Sequence, residues 1–257
     1  MANAFIWYEL MTTDTEAAKA FYRTVVGWEI EDLGAPHAGY SLLKSEGRGV
    51  GGLMAQPEPA RADGTAPAWF GYVAVPDADA GADAVAEGGG RVLRAPDDIP
   101  DVGRFAVVAD PGGAAFMLLT PTPRGDAPTP QPRMTPGHVG WHELYAADGD
   151  AAFHFYADRF GWAESSVMDM GAMGAYRIWS AEDGGEAVGG MMTKPPQAPQ
   201  AMWLYYFVVD SVDAAALRIA ESGGTVRMGP MQVPDGSWVV QAFDPQGAMF
   251  ALVSATR

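Results

Sequence analysis

The sequence predicts an α+β protein built from two copies of one domain, and three observations carry that prediction. First, Trp7-Tyr8-Glu9-Leu10 returns 134 residues later as Trp141-His142-Glu143-Leu144. The same offset joins Asp14 to Asp148, Phe21-Tyr22 to Phe155-Tyr156, Gly27-Trp28 to Gly161-Trp162, Trp69 to Trp203, Tyr72 to Tyr206 and Asp110-Pro111 to Asp244-Pro245. The match slips at Val50-Gly51-Gly52, which corresponds to Val188-Gly189-Gly190, and then recovers, as expected of a duplicated domain carrying an insertion and a compensating deletion. Second, each copy reads as strand, helix and three strands, twice over, giving four β-α-β-β-β modules. Third, residues 121–137 hold Pro121, Pro123, Pro128, Pro130, Pro132 and Pro136. Such density opposes regular pairing and marks an extended linker. The expected domains are therefore residues 1–120 and 138–257, each of the size at which a chain can bury its own core.

The elements follow in order. Residues 5–11 form a strand, and Asp14 caps a helix running to about Val26, whose apolar stripe is Ala18, Phe21, Tyr22 and Val25. Gly27 ends it. Strands are expected at residues 28–31, 39–44 and 49–55. The next module places a strand at 70–75, a helix at 79–87 and strands at 91–94, 104–109 and 114–119. Gly88-Gly89-Gly90 follows that helix instead of opening one, so it reads as a C-terminal cap and not as a phosphate cradle. Asp110-Pro111-Gly112-Gly113 and Asp244-Pro245-Gln246-Gly247 have the residues of a type I turn and read as hairpin turns. Met168, Met170 and Met173, interspersed with Gly171 and Gly174, read as a hairpin tip, with a pocket lid as the alternative.

Composition narrows the function. A hydrophobic fraction of 48% with 19% charged residues describes a globular chain. The formal net charge of −16 disfavours nucleic acid and anionic membrane as partners. There is no cysteine, which removes disulfides, thiolate metal sites and cysteine nucleophiles. Residues 1–10 lack the pattern of a signal peptide, and no apolar run approaches the roughly 20 residues of a membrane span. The expectation is a cytoplasmic monomer or homodimer whose partner is a small molecule.

The Asp14…Phe21-Tyr22…Gly27-Trp28 pattern, Val73-Ala74-Val75-Pro76-Asp77 and Asp110-Pro111-Gly112-Gly113, with their second-copy counterparts, resemble the vicinal oxygen chelate superfamily. That group includes glyoxalases, bleomycin-resistance proteins, fosfomycin-resistance enzymes and extradiol dioxygenases. The resemblance implies two cupped eight-stranded sheets, each made of two modules and each holding a divalent metal and a substrate. The superfamily's ligand positions are His or Gln on the first strand, His on the fifth and Glu on the eighth. They fall here on Trp7, Phe70 and Met117, and on Trp141, Leu204 and Ala251. None of these side chains offers the imidazole nitrogen or carboxylate oxygen that such metals take, in any combination of copies. No metal and no other cofactor is therefore expected. The histidines do not form a substitute: alternation along the strand puts His142 on the face opposite Trp141 and Glu143, His154 lies on a helix and His37 in a loop.

What the resemblance and the alternation leave in the cups is Trp7, Glu9, Phe70, Tyr72 and Met117 in one copy, and Trp141, Glu143, Leu204 and Tyr206 in the other. An apolar concavity with few polar groups suits a small, partly aromatic or hydrophobic ligand, held by stacking and by ring-face attraction. Glu9 and Glu143 are open to three uses. They can hold the fold together, bind the ligand, or act as a general base in a metal-free lyase or isomerase, with Tyr72 or Tyr206 donating to a developing oxyanion. A metal-dependent glyoxalase-type or dioxygenase-type enzyme using other ligands is the remaining alternative.

Overall fold

A computed structural model describes residues 3–123, 131–196 and 198–257. The first half runs β1 (Phe5–Thr12), α1 (Thr15–Val25), β2 (Glu29–Asp32), β3 (Tyr40–Ser45), β4 (Arg48–Ala55), α2 (Glu58–Ala62), β5 (Ala68–Ala74), α3 (Ala78–Glu87), β6 (Arg91–Ile99), β7 (Gly103–Ala109) and β8 (Ala115–Pro121). The second half runs β9 (Val139–Ala146), α4 (Gly149–Phe160), β10 (Ala163–Asp169), β11 (Ala175–Ser180), β12 (Ala187–Thr193), β13 (Met202–Val208), α5 (Val212–Glu221), β14 (Thr225–Gln232), β15 (Trp238–Phe243) and β16 (Met249–Ser254).

The strands form two eight-stranded mixed sheets, ordered β2-β3-β4-β1-β5-β8-β7-β6 and β10-β11-β12-β9-β13-β16-β15-β14. In every module the first and last strands pair in parallel, as β1 with β4, β5 with β8, β9 with β12 and β13 with β16. A parallel pair needs a long crossover, and the helix with its following strands supplies it. The expected α+β fold of four repeated modules is the one observed.

The helices start where the sequence places caps. Asp14 Oδ1 accepts from the Ala17 amide at 3.0 Å, and Asp148 Oδ1 accepts from the amides of Asp150 and Ala151 at 3.0 Å. Gly27 and Gly161 follow α1 and α4 at φ 89° and 71°, a conformation that costs glycine little. The face of α1 that is buried includes Ala18, Phe21, Tyr22 and Val25, the predicted stripe. Three details depart from expectation, the first being that β6 runs on to Ile99 where a strand was expected only at residues 91–94. The one-turn helix α2 begins beside Pro57 and Pro59 and buries nothing, so it leaves no periodic trace in the sequence. Strand β8 runs through Pro121, which pairs with Gly103, so the strand continues one residue into the expected linker. The middle of that linker, with Pro128 and Pro130, lies outside the described residues. Its last stretch carries turns, with the amides of Thr135 and His138 donating to Pro132 and Thr135 carbonyls. The methionine-rich segment is a hairpin tip between β10 and β11, with a single 3-10 turn at Gly171–Met173.

Compactness divides the chain into two units, each drawing on both halves. One holds the described parts of residues 1–6, 71–130 and 142–203, hence the second and third modules; the other holds residues 7–70, 131–141 and 204–257, hence the first and fourth. The repeated residues explain this. In the first-and-fourth unit the Trp69 indole donates to the Tyr22 hydroxyl at 2.9 Å, and Tyr22 donates to Asp244 Oδ2 at 3.1 Å. Asp244 Oδ1 meanwhile closes its own turn by accepting from the Gln246 and Ala248 amides at 2.9 and 2.8 Å. In the second-and-third unit Trp203 donates to Tyr156 at 2.9 Å and Tyr156 to Asp110 Oδ2 at 3.2 Å, while Ala114 donates to Asp110 Oδ1 at 2.8 Å. The Trp28 indole bonds the Gly137 carbonyl at 2.8 Å, and the Trp162 indole bonds the Asn3 carbonyl at 2.5 Å. The Tyr22–Asp244, Tyr156–Asp110 and Trp162–Asn3 bonds each join one copy to the other within a unit, and the Trp28 bond ties the first copy to the end of the linker.

Candidate functional site

The first module builds one candidate wall. Glu9 on β1 pairs in register with Gly52 on β4, and Gly52 pairs with Leu42 on β3. A side chain at residue 52 would overlap the Tyr40 hydroxyl, so the glycine is what lets Tyr40 lie across β4 toward Glu9. Tyr40 accepts a hydrogen bond from the Trp7 indole at 2.9 Å and donates one to the Glu9 carboxylate. The result is a Trp7–Tyr40–Glu9 chain in which Glu9 is 5% exposed. Burial, and then the negative charge of Glu9, push the Tyr40 hydroxyl far above its ordinary pKa, so it remains a donor at any working pH. The neighbouring Gly51 is needed for a different reason: a Cβ there would press on the Tyr8 carbonyl at 2.7 Å.

The third module repeats the device. Glu143 on β9 pairs with Gly190 on β12, and a side chain at 190 would overlap the Tyr176 ring and hydroxyl. Gly189 lies against the His142 carbonyl and the Trp179 indole, each 2.5 Å from where its Cβ would stand. The Gly-Gly pair that marks the slip in the repeat is thus required twice, once for strand approach and once for a tyrosine to reach over. Tyr40 and Tyr176 escaped sequence reasoning because they lie inside the stretch where the alignment of copies shifts.

The other expected residues fall as follows. Phe70 is half-buried on β5, and Tyr72 on the same strand is buried and pairs with buried Met117 of β8. Trp141 is half-buried, with the Arg133 guanidinium 5.5 Å from its ring centre. Leu204 and Tyr206 on β13 are buried. Tyr206 accepts a hydrogen bond at 2.7 Å from the Gln241 amide of β15, a partner the sequence did not single out. His142 sits in packing and not in a ligand cluster. Its ring stacks on Phe5 at 4.8 Å, Nδ1 bonds the Val188 carbonyl at 2.7 Å, and burial lowers its pKa to about 4. His154 Nδ1 lies 2.7 Å from the Asp150 carbonyl one helical turn back.

The superfamily's metal does not fit the donor set found here. Trp7, Phe70, Met117, Trp141, Leu204 and Ala251 carry no oxygen or imidazole ligand, and the described residues hold no cluster of three or more His, Asp or Glu side chains arranged for an ion. Among the described residues no helix is long and apolar enough to cross a membrane.

Four β-α-β-β-β modules in two eight-stranded mixed sheets define a tandem glyoxalase-like class of protein. The chain belongs to the Glyoxalase/Bleomycin resistance protein/Dioxygenase superfamily, whose family model matches residues 4–118 and 135–252. It is 36% identical over 249 residues to CFP32 of Mycobacterium tuberculosis, provisionally named a glyoxylase, covering 96% of this chain and 93% of that one. It is 32% identical over 259 residues to the anthracycline biosynthesis protein DnrV of Streptomyces peucetius, covering 96% and 91%. Among solved structures, the Mn(II)-bound glyoxalase of Novosphingobium aromaticivorans superposes with a TM-score of 0.66 at 18% identity, over 99% of this chain and 82% of that one. The dioxygenase LapB of Pseudomonas sp. KL28 does so at 0.65 and 14%, over 99% and 93%. At those identities the likeness speaks for the fold alone.

Proposed function

We propose that the protein binds a small, partly aromatic or hydrophobic molecule against the inner walls of its sheets, without the metal usual in its superfamily. The observation that carries this reading is the exchange of every expected metal-ligand position for an apolar or indole side chain, beside a glutamate held by a tyrosine. Aromatic faces with a few placed polar groups suit a planar ligand better than an ion. The relatives named for anthracycline biosynthesis are a further support, since that name points to fused planar rings carrying hydroxyl and carbonyl groups.

Quinizarin, a dihydroxyanthraquinone, is a direct probe. Titration into protein stripped with a chelator should quench tryptophan emission saturably, with a dissociation constant in the micromolar range or below, about −8 kcal/mol. Binding that appears only after a divalent ion is restored, or no binding at all, overturns the proposal. The Tyr40–Glu9 bond also favours a second reading, a metal-free lyase or isomerase with Glu9 or Glu143 as base, because a carboxylate fixed in place by a phenol that keeps its own proton is a positioned proton acceptor. Under that reading Glu9→Gln or Glu143→Gln abolishes turnover of a carbonyl substrate while leaving its affinity within about threefold.

A further inference from the structure

The second and fourth modules treat one place on the helix side of their sheets differently. On β7, Arg104 stands between Asp98 of β6 and Thr120 of β8. At the offset of 134, Trp238 on β15 stands between Gln232 of β14 and Ser254 of β16. Arg104 runs out to α3, where its Nε and Nη2 donate to the Asp79 carboxylate at 2.5 and 2.9 Å. The aspartate corresponding to Asp79 is Asp213 of α5, and there Arg257 Nε donates to it at 2.9 Å, with the guanidinium 5.2 Å from the centre of the Trp238 ring. Both modules bring a guanidinium to the same helix aspartate. Only the fourth places an aromatic ring against it.

In the second module the corresponding place is open. A pocket of about 320 Å³ is lined there by Asp98, Ile99, Arg104, Thr120, Pro121 and Pro123, at the small end of the range for ligand sites. The Thr120 hydroxyl records the same difference. Ser254 Oγ accepts from the Val212 amide at 3.2 Å and donates to the Thr256 carbonyl, so the chain after β16 folds back over it. After β8 the Thr122 amide turns instead to the Val102 carbonyl at 2.8 Å, and Thr120 Oγ1 is buried with no partner among the described residues. Arg104 is meanwhile set for stacking. Its bonds to Asp79, to Asp98 Oδ1 at 3.0 Å and to the Pro96 carbonyl at 3.3 Å all leave from the edge of the guanidinium. They fix its plane and use none of its face, and the side chain is 39% exposed. A ring laid on that face gains cation–π attraction without ordering a mobile side chain. Charge selects further: Asp79 and Asp98 outnumber Arg104 in a chain of net charge −16, which disfavours an anionic ring and favours a cationic one.

We propose that this pocket binds a small aromatic amine, with a ring of indole size against the face of Arg104, edged by Ile99, Pro121 and Pro123, and with its cationic arm toward the Asp98 carboxylate. The fourth module supplies its own ring and guanidinium in the matching place, so the site exists once. Neighbouring positions on a strand point to opposite faces, so Arg104 lies across the sheet from Phe105. The pocket is therefore separate from the inner walls proposed to take a hydrophobic ligand, and neither reading depends on the other.

Tryptamine titrated into the isotope-labelled full chain, followed by amide resonances, tests this, with a melting curve for each variant. The amides of Gly103, Arg104 and Thr120 should shift saturably, with a dissociation constant of about 1 mM or below, while those of Ser237, Trp238 and Ser254 stay in place. Arg104→Trp installs the fourth module's ring and should abolish the shifts around it. Arg104→Lys keeps the charge but not the flat face, and should weaken binding about fivefold. Indole-3-acetate, the same ring with an anionic arm, should bind about tenfold more weakly than tryptamine. Should Arg104→Trp fail to fold, Arg104→Lys and the comparison of the two indoles carry the test. Absence of shifts at Gly103, Arg104 and Thr120, shifts of the same size in Arg104→Trp or unweakened binding in Arg104→Lys, or equal affinity for the two indoles overturns the proposal, and each of these leaves the reading of the inner walls untouched.

Discussion

His142 shows how a single residue's surroundings decide what it does. It stands one position from the superfamily's first ligand position, yet its ring is stacked on Phe5 and its Nδ1 is committed to the Val188 carbonyl. Burial lowers its pKa from the ordinary 6.5 to about 4. A group depressed in the folded state adds stability above its unfolded pKa and loses it as pH falls through the folded one, here between pH 6.5 and about 4. The full effect is about 3 kcal/mol, because the folded chain must keep the imidazole neutral while the unfolded chain charges it. Buried Asp110 and Asp244 act in the opposite sense. Burial raises their pKa, so each disfavours the folded state at neutral pH and relieves that cost as pH falls through its raised value. Urea unfolding from pH 7 to 4 should therefore show a loss in the wild type that His142→Phe largely removes. An unchanged pH slope in that variant would count against the assignment.

The elements are joined by pairs of repeated residues, and their energetics are open to measurement. Tyr22 on α1 and Tyr156 on α4 each accept from a buried indole and donate to a buried aspartate in a β hairpin turn of the other copy. Tyr22→Phe leaves Trp69 without its acceptor and removes a donor from Asp244, so it should cost about 1–3 kcal/mol, and Tyr156→Phe the same. The two tyrosines share no partner, so the double variant should lose the sum within about 0.5 kcal/mol in chemical unfolding. A cost below about 0.5 kcal/mol for either would show that the bond is replaced by water. The repeat made these residues visible, and the turn chemistry of Asp110 and Asp244 was legible as Asp-Pro-x-Gly. Their second carboxylate oxygen was not, since nothing local tells that it receives a hydroxyl from a helix more than forty residues away. The candidate site divides in the same way. Trp7 and Glu9 are legible from strand alternation, whereas Tyr40, Tyr176 and Gln241 depend on cross-strand register, which no stretch of sequence states.

At the scale of the whole molecule, sequence order and compactness divide the chain differently. Each eight-stranded sheet follows the order of the chain, β1 to β8 and β9 to β16, as the repeat predicts. Each compact unit instead takes one module from either half. The periodic signals that define modules are local, while the partner of each helix face is chosen by long-range fit, so the first is readable from sequence and the second is not. The consequence concerns folding. The Tyr–Asp ties, the Trp162–Asn3 bond, and the bond from Arg218 of α5 to the Val25 carbonyl at 2.9 Å all join residues before the linker to residues after it, and the Trp28 bond reaches the linker's last residue, Gly137. A half expressed alone keeps its sheet but loses the cover of its helices, leaving Phe21, Tyr22, Phe155 and Tyr156 with exposed faces and Asp110 or Asp244 without its hydroxyl donor. Residues 1–123 and 131–257, made as separate chains, should therefore each lack a cooperative melting transition. Mixed in equal amounts they should associate one to one, regain such a transition and bury their tryptophans, seen as a blue shift in emission. If either half melts cooperatively as a monomer with blue-shifted tryptophans, the ties between copies are dispensable and the sequential halves are independent domains.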